Sequence, residues 1–268
     1  MTIRRPGAAV DDGYRSPLLP GLKSGESAGR LAEELAFATA RLQELEESPP
    51  GLYAELADEN GDVEERTWLA FLIAYLGPLE DAEDPFEAIR GARTSWAEGV
   101  VPDLEGVRPG PRTAHDQGRG QATLQAYRAW AERAGTQAAG YGGEPAWSPE
   151  RRFSRVFERL ALPGFHRAAR FELLVVLGRT GLYELAAGSL ALGGSDEVTL
   201  AAKRAFGIGD TLLLERRAGD LARACEVPLE ALDLGLYNWA RDERATVGVR
   251  TDPDPELLHH VAARLGLG

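Results

Sequence analysis

Apolar residues recur every three to four positions along most of this chain. In GRLAEELAFATARLQELEE, Leu31, Leu35, Ala38, Leu42 and Leu45 share one helical face. That pattern begins near Ser24 and stops before Pro49-Pro50-Gly51, which cannot continue a helix. In DVEERTWLAFLIAYLGPLE, a dense apolar run from Trp68 to Leu76 reads as core. Asp62, Glu64 and Glu65 stand near its start, where the helix dipole favours acids, and Gly77-Pro78 is a stop signal. Further helices are predicted over 84–97 and within 121–135. Between them, GVVPDLEGVRPGPRTAHDQGRG is rich in Pro and Gly and reads as a connection or an active-site loop.

TQAAGYGGEPAWSP breaks the pattern again, so the main boundary is expected near 136–148. Beyond Ser148-Pro149 the periodicity predicts short helices over 149–161, 164–178, 181–191, 195–206, 210–225, 229–240 and 254–266. VGVRT, at 247–251, is the one weak strand candidate. The expected fold is all-α, a two-lobed array of short helices. Residues 1–22 form a flexible arm, 23–140 an acidic helical lobe and 141–268 a second lobe. No fixed-period repeat points to a solenoid.

Composition narrows the function classes. The chain has 268 residues and a formal net charge of −12, which opposes broad, non-specific binding to nucleic acid. The charge is uneven: residues 151–223 hold 12 Arg or Lys against 8 Asp or Glu. No eighteen-residue apolar run suggests a membrane span, and MTIRRPGAAVDDGYRSPLLPG lacks the apolar core of a signal peptide. A cytoplasmic protein without membrane association is expected. The single Cys225 excludes an intramolecular disulfide and a multi-cysteine zinc site; no metal and no cofactor are predicted.

The basic section contains AFGIGDTLLLERRAGDLA, with two glycines between two helical runs. Gly207 lies where a left-handed residue ends a helix, a conformation glycine reaches without strain. Ile208 would plug the space between the helices, Gly209 would let something approach the backbone, and Asp210 would cap the next helix. There Leu214, Ala218, Leu221 and Cys225 form a buried stripe. The preceding helix would start at Ser195 as N-cap. Such a helix-hairpin-helix points backbone N–H groups outward, where they can hold a DNA phosphate. Gly207, Ile208, Gly209 and Thr211 would make that contact, flanked by Lys203, Arg204 and Arg216, with Arg217 nearby. A tight structural turn also favours glycines, and Asp210 would compete with a phosphate for the same amides. LALPGFHRAARFELL, at 160–174, is a second hairpin candidate with His166 in place of the second glycine.

The order of hairpin, helix and VPLEALDLGLYNW resembles the helix-hairpin-helix DNA glycosylase superfamily. More narrowly, ARFELLVVLG, LAAKRAFGIGD and ALDLGLYNW are similar to the α-glutamyl/putrescinyl thymine pyrophosphorylase group, associated with hypermodified thymine in phage and bacterial DNA. The resemblance covers about 150–240. It implies duplex DNA carrying a modified base as partner, and Asp233 as the catalytic carboxylate. The superfamily's bifunctional members carry a lysine where Thr211 stands, so it implies a monofunctional glycosylase without a Schiff base. The target nucleotide would be swung out of the stack. Asp233 would stabilise an oxocarbenium-like sugar, and Tyr237, Asn238 and Trp239 would line the base pocket. Asp233 also fits a capping aspartate, and Trp239 a core residue.

Two alternatives remain open at this point: a non-catalytic helix-hairpin-helix DNA-binding protein, and a helical protein-interaction module without DNA binding. His115 and Asp116 lie in the Gly-rich loop, as an acid–base pair or as exposed polar residues. His259 and His260 are adjacent, so on a helix they face different ways. Arg151, Arg152, Arg155 and Arg159 repeat at helical spacing and could track a phosphate backbone or pair with acids. Cys225, on an apolar stripe, reads as a buried spectator.

Overall fold

The structure, a computed structural model, describes residues 11–241 and 243–268. Among them are twelve α-helices and no strand. The fold is all-α, and the weak strand candidate at 247–251 is not a strand. Its backbone groups are used in other ways, described below.

The chain forms two compact units. One comprises the segment up to Leu42, Ser189–Ala245 and Thr251–Gly268; the other comprises Gln43–Gly188 and Thr246–Arg250. The cuts thus fall elsewhere than at 136–148. That Gly- and Pro-rich stretch is a tight corner, not a linker. Thr136 accepts a hydrogen bond from Ala139 N and caps a short helix, Gln137–Gly142, absent from the periodicity reading. Gly143, at φ 59°, then reverses the chain, and a Cβ there would fall 2.6 Å from the Trp147 ring.

In the unit that includes Gln43–Gly188, α1 (Gly25–Glu47) contributes only its last residues. Here follow α2 (Leu52–Ala57), α3 (Val63–Leu76), α4 (Glu87–Ala92), α5 (Gly120–Ala134), α6 (Gln137–Gly142), α7 (Pro149–Arg159) and α8 (Arg167–Arg179). Every residue from Thr67 to Leu76 is buried, as the apolar run requires of a central helix. Asp62 caps α3, accepting from Glu64 N and Glu65 N. Phe71 stacks on Tyr127 at 3.8 Å between centroids, and Trp68, Tyr75 and Phe165 extend the aromatic core.

Two helix predictions in this unit need correction. The helix predicted over 84–97 stops at Ala92, because the Glu65 carboxylate takes Ser95 Oγ, Trp96 N and Ala97 N and holds 95–97 out of helical form. No helix covers 181–191. After Gly181, at φ 72°, Tyr183 N donates to Leu177 O. Leu185 O then lies 2.3 Å from where a Gly178 Cβ would stand, so this irregular segment runs against bare backbone of α8. Thr246–Arg250 is clamped in the same unit: Glu80 accepts from Thr246 N, Thr246 Oγ1 and Val247 N, and Tyr53 OH donates to Val247 O.

The unit that includes Ser189–Ala245 is built on α1, α9 (Glu197–Phe206), α10 (Thr211–Cys225), α11 (Ala231–Trp239) and α12 (Pro255–Leu265). Every residue of α11 is buried, so this is the core helix of the unit. It packs on α9, and it approaches α1 closely: a Cβ on Gly235 would lie 2.8 Å from Leu35 Cδ2. Residues 11–22 are not a loose arm. Leu19 is fully buried, Leu22 and Ser16 are buried, and Tyr14 OH donates to Leu265 O at 2.6 Å. Residues 1–10 of the predicted arm lie outside the described residues.

Candidate nucleic-acid interface

The expected phosphate-holding turn, 206–210, falls between α9 and α10. α9 starts one residue later than expected, with Asp196 as N-cap in place of Ser195; its carboxylate accepts from Thr199 N. Gly207 ends α9 in the left-handed region at φ 66°, and its N–H donates to Lys203 O at 2.9 Å. Asp210 caps α10, its Oδ1 accepting from Leu213 N at 2.9 Å. Leu214, Ala218, Leu221 and Cys225 form the buried stripe that seats α10.

One side of this turn is covered by the chain's own N-terminal segment. Gly21 N donates to Ala205 O at 3.0 Å. A Cβ on Gly207 would lie 3.1 Å from Gly21 Cα. The other side is open. Gly209, Asp210, Thr211 and Leu212 are exposed, and a Cβ on Gly209 would meet nothing within 4 Å. Among the described residues, the amides of Ile208, Gly209, Thr211 and Leu212 have no hydrogen-bond partner. Asp210 takes only the amide of Leu213, so its carboxylate leaves the first two amides of α10 unused.

The cations around the turn divide by role. Lys203 Nζ donates to Gly194 O at 3.2 Å. Arg204 lies over Trp239, 4.1 Å from the ring centroid, and burial together with Arg30 lowers its guanidinium pKa. Arg217 Nη1 donates to Pro17 O. Arg216 is exposed. Arg204 and Arg217 thus contribute to the fold of this unit.

Asp233 stands in the first turn of α11 and is 2% exposed. Tyr237 is buried, with Arg241 over its ring at 5.0 Å. Asn238 spends both ends of its amide on one residue: Nδ2 donates to Ala245 O at 3.1 Å, and Oδ1 accepts from Ala245 N at 3.0 Å. Trp239 Nε1 donates to Ser27 O at 2.9 Å. Asn238 therefore ties α11 to Ala245, and Trp239 ties it to the start of α1. Nothing in the spacing of LYNW marked these partners, because Ser27 is more than two hundred residues away in sequence.

The remaining sequence candidates have structural employment. Arg152 is 6% exposed and donates to Gly142 O, Glu184 O and Trp147 O, so it holds a corner together and tracks no phosphate. Arg151 and Arg159 are exposed above the Trp147 ring, and Arg155 pairs with Glu158 at 3.2 Å. In the 160–174 hairpin, Gly164 is left-handed at φ 76° and Phe165 is buried. Thr123 Oγ1 donates to Pro163 O and would block any Cβ on Gly164. His115 Nδ1 lies 3.2 Å from Tyr75 OH, and burial lowers the imidazole pKa. Asp116 accepts from Gly118 N in a local turn. Burial pushes the Cys225 thiol up to about 11, far from a nucleophile. Among the described residues no three His, Cys, Asp or Glu could hold a metal ion, and no helix is long and apolar enough to cross a membrane.

No protein-family model, curated protein or solved structure matches this chain. The functional reading rests on the geometry of the hairpin itself.

Proposed function

We propose that the chain is a helix-hairpin-helix DNA-binding protein in which the turn between α9 and α10 grips one sugar–phosphate strand. The observation that carries this reading is the set of unpartnered amides at half-buried Ile208 and at exposed Gly209, Thr211 and Leu212. Converging N–H groups at a helix start favour an anion without needing a cationic side chain. Gly209 supplies the clearance: with no side chain and no neighbour, it lets a phosphate come to the backbone. Arg216 adds the charge that steers a polyanion to this one place on an acidic molecule. Such contacts fix position along the strand and read no base.

Because amides displace no counterions, the salt dependence should be shallow. Contributions from Lys203, Arg204 and Arg216 at most bound the slope of log K against log[salt] at about −2.7. The test is fluorescence anisotropy on a short duplex over a salt series, comparing the wild type with Gly209→Ala. We expect shallow, salt-dependent binding that Gly209→Ala weakens about tenfold, the loss of one charge-assisted hydrogen bond. Absence of salt-dependent binding by the wild type would remove the reading.

A second reading adds base excision. In its favour, a carboxylate only 2% exposed, Asp233, lies on the core helix that packs against α9. In that reading the hairpin anchors the strand, and Asp233 stabilises the sugar cation as the base departs. Thr211 offers no amine, so the strand is not cleaved through a Schiff base. Release of a modified base by the wild type, abolished in Asp233→Asn while binding persists, would establish it. Binding without release from hypermodified-thymine DNA would leave the simpler function.

A further inference from the structure

Two adjacent residues of this chain belong to different units. Ala245 closes one unit, and both its backbone groups are bonded to the side-chain amide of Asn238. Thr246 begins an excursion, Thr246–Arg250, that belongs to the other unit, and the chain returns at Thr251. The excursion is neither helix nor strand. Among the described residues its backbone–backbone hydrogen bond, from Val249 N to Thr246 O, is internal. Side chains of the host unit hold it instead. Glu80 accepts from Thr246 N and Val247 N at 3.0 Å and from Thr246 Oγ1 at 2.7 Å. The buried Tyr53 hydroxyl donates to Val247 O at 2.9 Å.

Between these two grips the backbone is strained. Among the described residues, positive φ outside glycine occurs at Ala191, Glu226 and Val247. Glu226 ends α10, but Val247, at φ 51°, is β-branched, and its side chain crowds the neighbouring carbonyl there. The left-handed region is disfavoured for such a residue by roughly tenfold. It persists only where the surroundings over-determine it. Gly248 follows at φ 75°, with the Phe86 ring 2.7 Å from where a Cβ would stand, so the turn is pressed onto its seat. We infer that Thr246–Arg250 is a strain-loaded clasp, which springs out as one piece when Tyr53 or Glu80 lets go, while the helices of both units stay folded. Burial of Val247 and Val249 keeps it closed at rest. Loss of a grip frees Val247 from the left-handed region, and that relief favours the open form. The clasp needs no ligand and is independent of the strand-gripping reading.

The experiment is native-state hydrogen exchange on the full chain at low denaturant, with the amides of Thr246, Val247 and Val249 as reporters. In the wild type these should open at least about tenfold more often than the slowest amides of α3 and α11. Their opening should also be nearly independent of denaturant, because little surface is exposed, whereas the slowest amides respond steeply. Tyr53→Phe should raise the opening of the reporters about tenfold. Val247→Ala and Val247→Gly both remove the branched side chain, and they isolate the strain. Alanine normally holds a fixed backbone better than glycine, but here Val247→Gly should open about fivefold less often than Val247→Ala. Reporters that open only together with α3 and α11, with the same denaturant response, would overturn the clasp. So would reporters unmoved by Tyr53→Phe, or a Val247→Ala protein that opens less often than Val247→Gly. Should Tyr53→Phe not fold, the wild-type profile and the Val247 pair decide the matter.

Discussion

Gly21 rests directly on the left-handed Gly207: its amide bonds Ala205 O, and its own Cβ position would fall 2.1 Å from Arg204 O. Two bare backbones meet there, and no side chain fits between them. The contact braces the end of α9 from behind and leaves the front of the turn open.

Gly21→Ala should destabilise this unit by about 2 kcal/mol, since the nearest atoms are backbone and cannot swing away. Gly209→Ala should leave the unfolding midpoint within about 0.5 kcal/mol, since its site is empty. Chemical denaturation of both variants checks the contrast. A Gly209→Ala protein as unstable as Gly21→Ala would mean the turn is packed on both sides.

Arg204 belongs with the fold. Its guanidinium covers Trp239 at 4.1 Å. Arg204→Ala should lower stability by about 1 kcal/mol and quench or shift the Trp239 emission, while Arg216→Ala leaves both unchanged. In the proposed DNA binding the order reverses: Arg216→Ala should reduce the salt slope by about one unit.

Asn238→Ala removes both hydrogen bonds to Ala245 and leaves a buried N–H and C=O unsatisfied. The expected cost is about 2–3 kcal/mol. Hydrogen exchange should show the amide of Ala245 losing protection before the rest of the unit.

His115 makes stability depend on pH. Burial depresses its pKa in the folded chain below the ordinary 6.5, so the unfolded chain binds more protons. The favourable contribution is complete above pH 6.5 and is lost as the pH falls below it. Wild type and His115→Gln compared in denaturant at pH 7.5 and pH 5.0, two conditions about one to two units either side of the ordinary value, should show the steeper acid loss in the wild type. A parallel pair of curves would remove His115 from the acid response.

Cys225 offers a readout of opening. With its thiol pushed up to about 11 and fully buried, it should resist a thiol reagent at neutral pH until the unit unfolds. Labelling faster than unfolding would show that α10 frays.

The sequence by itself determined the all-α class and the positions of most of the long helices. Periodic leucines, the Asp62 and Asp210 caps and the Gly207 stop are local signals, each acting within about one helical turn. Only the tertiary structure decided what those elements do next to one another. The 84–97 prediction fails because Glu65, some thirty residues earlier, supplies the acceptor that holds 95–97 out of a helix. Asn238 and Trp239 turn from pocket candidates into struts because their partners, Ala245 and Ser27, come together only on folding. The order of 11–22 has no signature in the sequence, because a backbone-to-backbone contact such as Gly21 on Gly207 leaves no pattern in side-chain polarity. Local chemistry sets conformation within a turn or two, but whether a polar group is spent on the fold or left for a ligand depends on long-range neighbours.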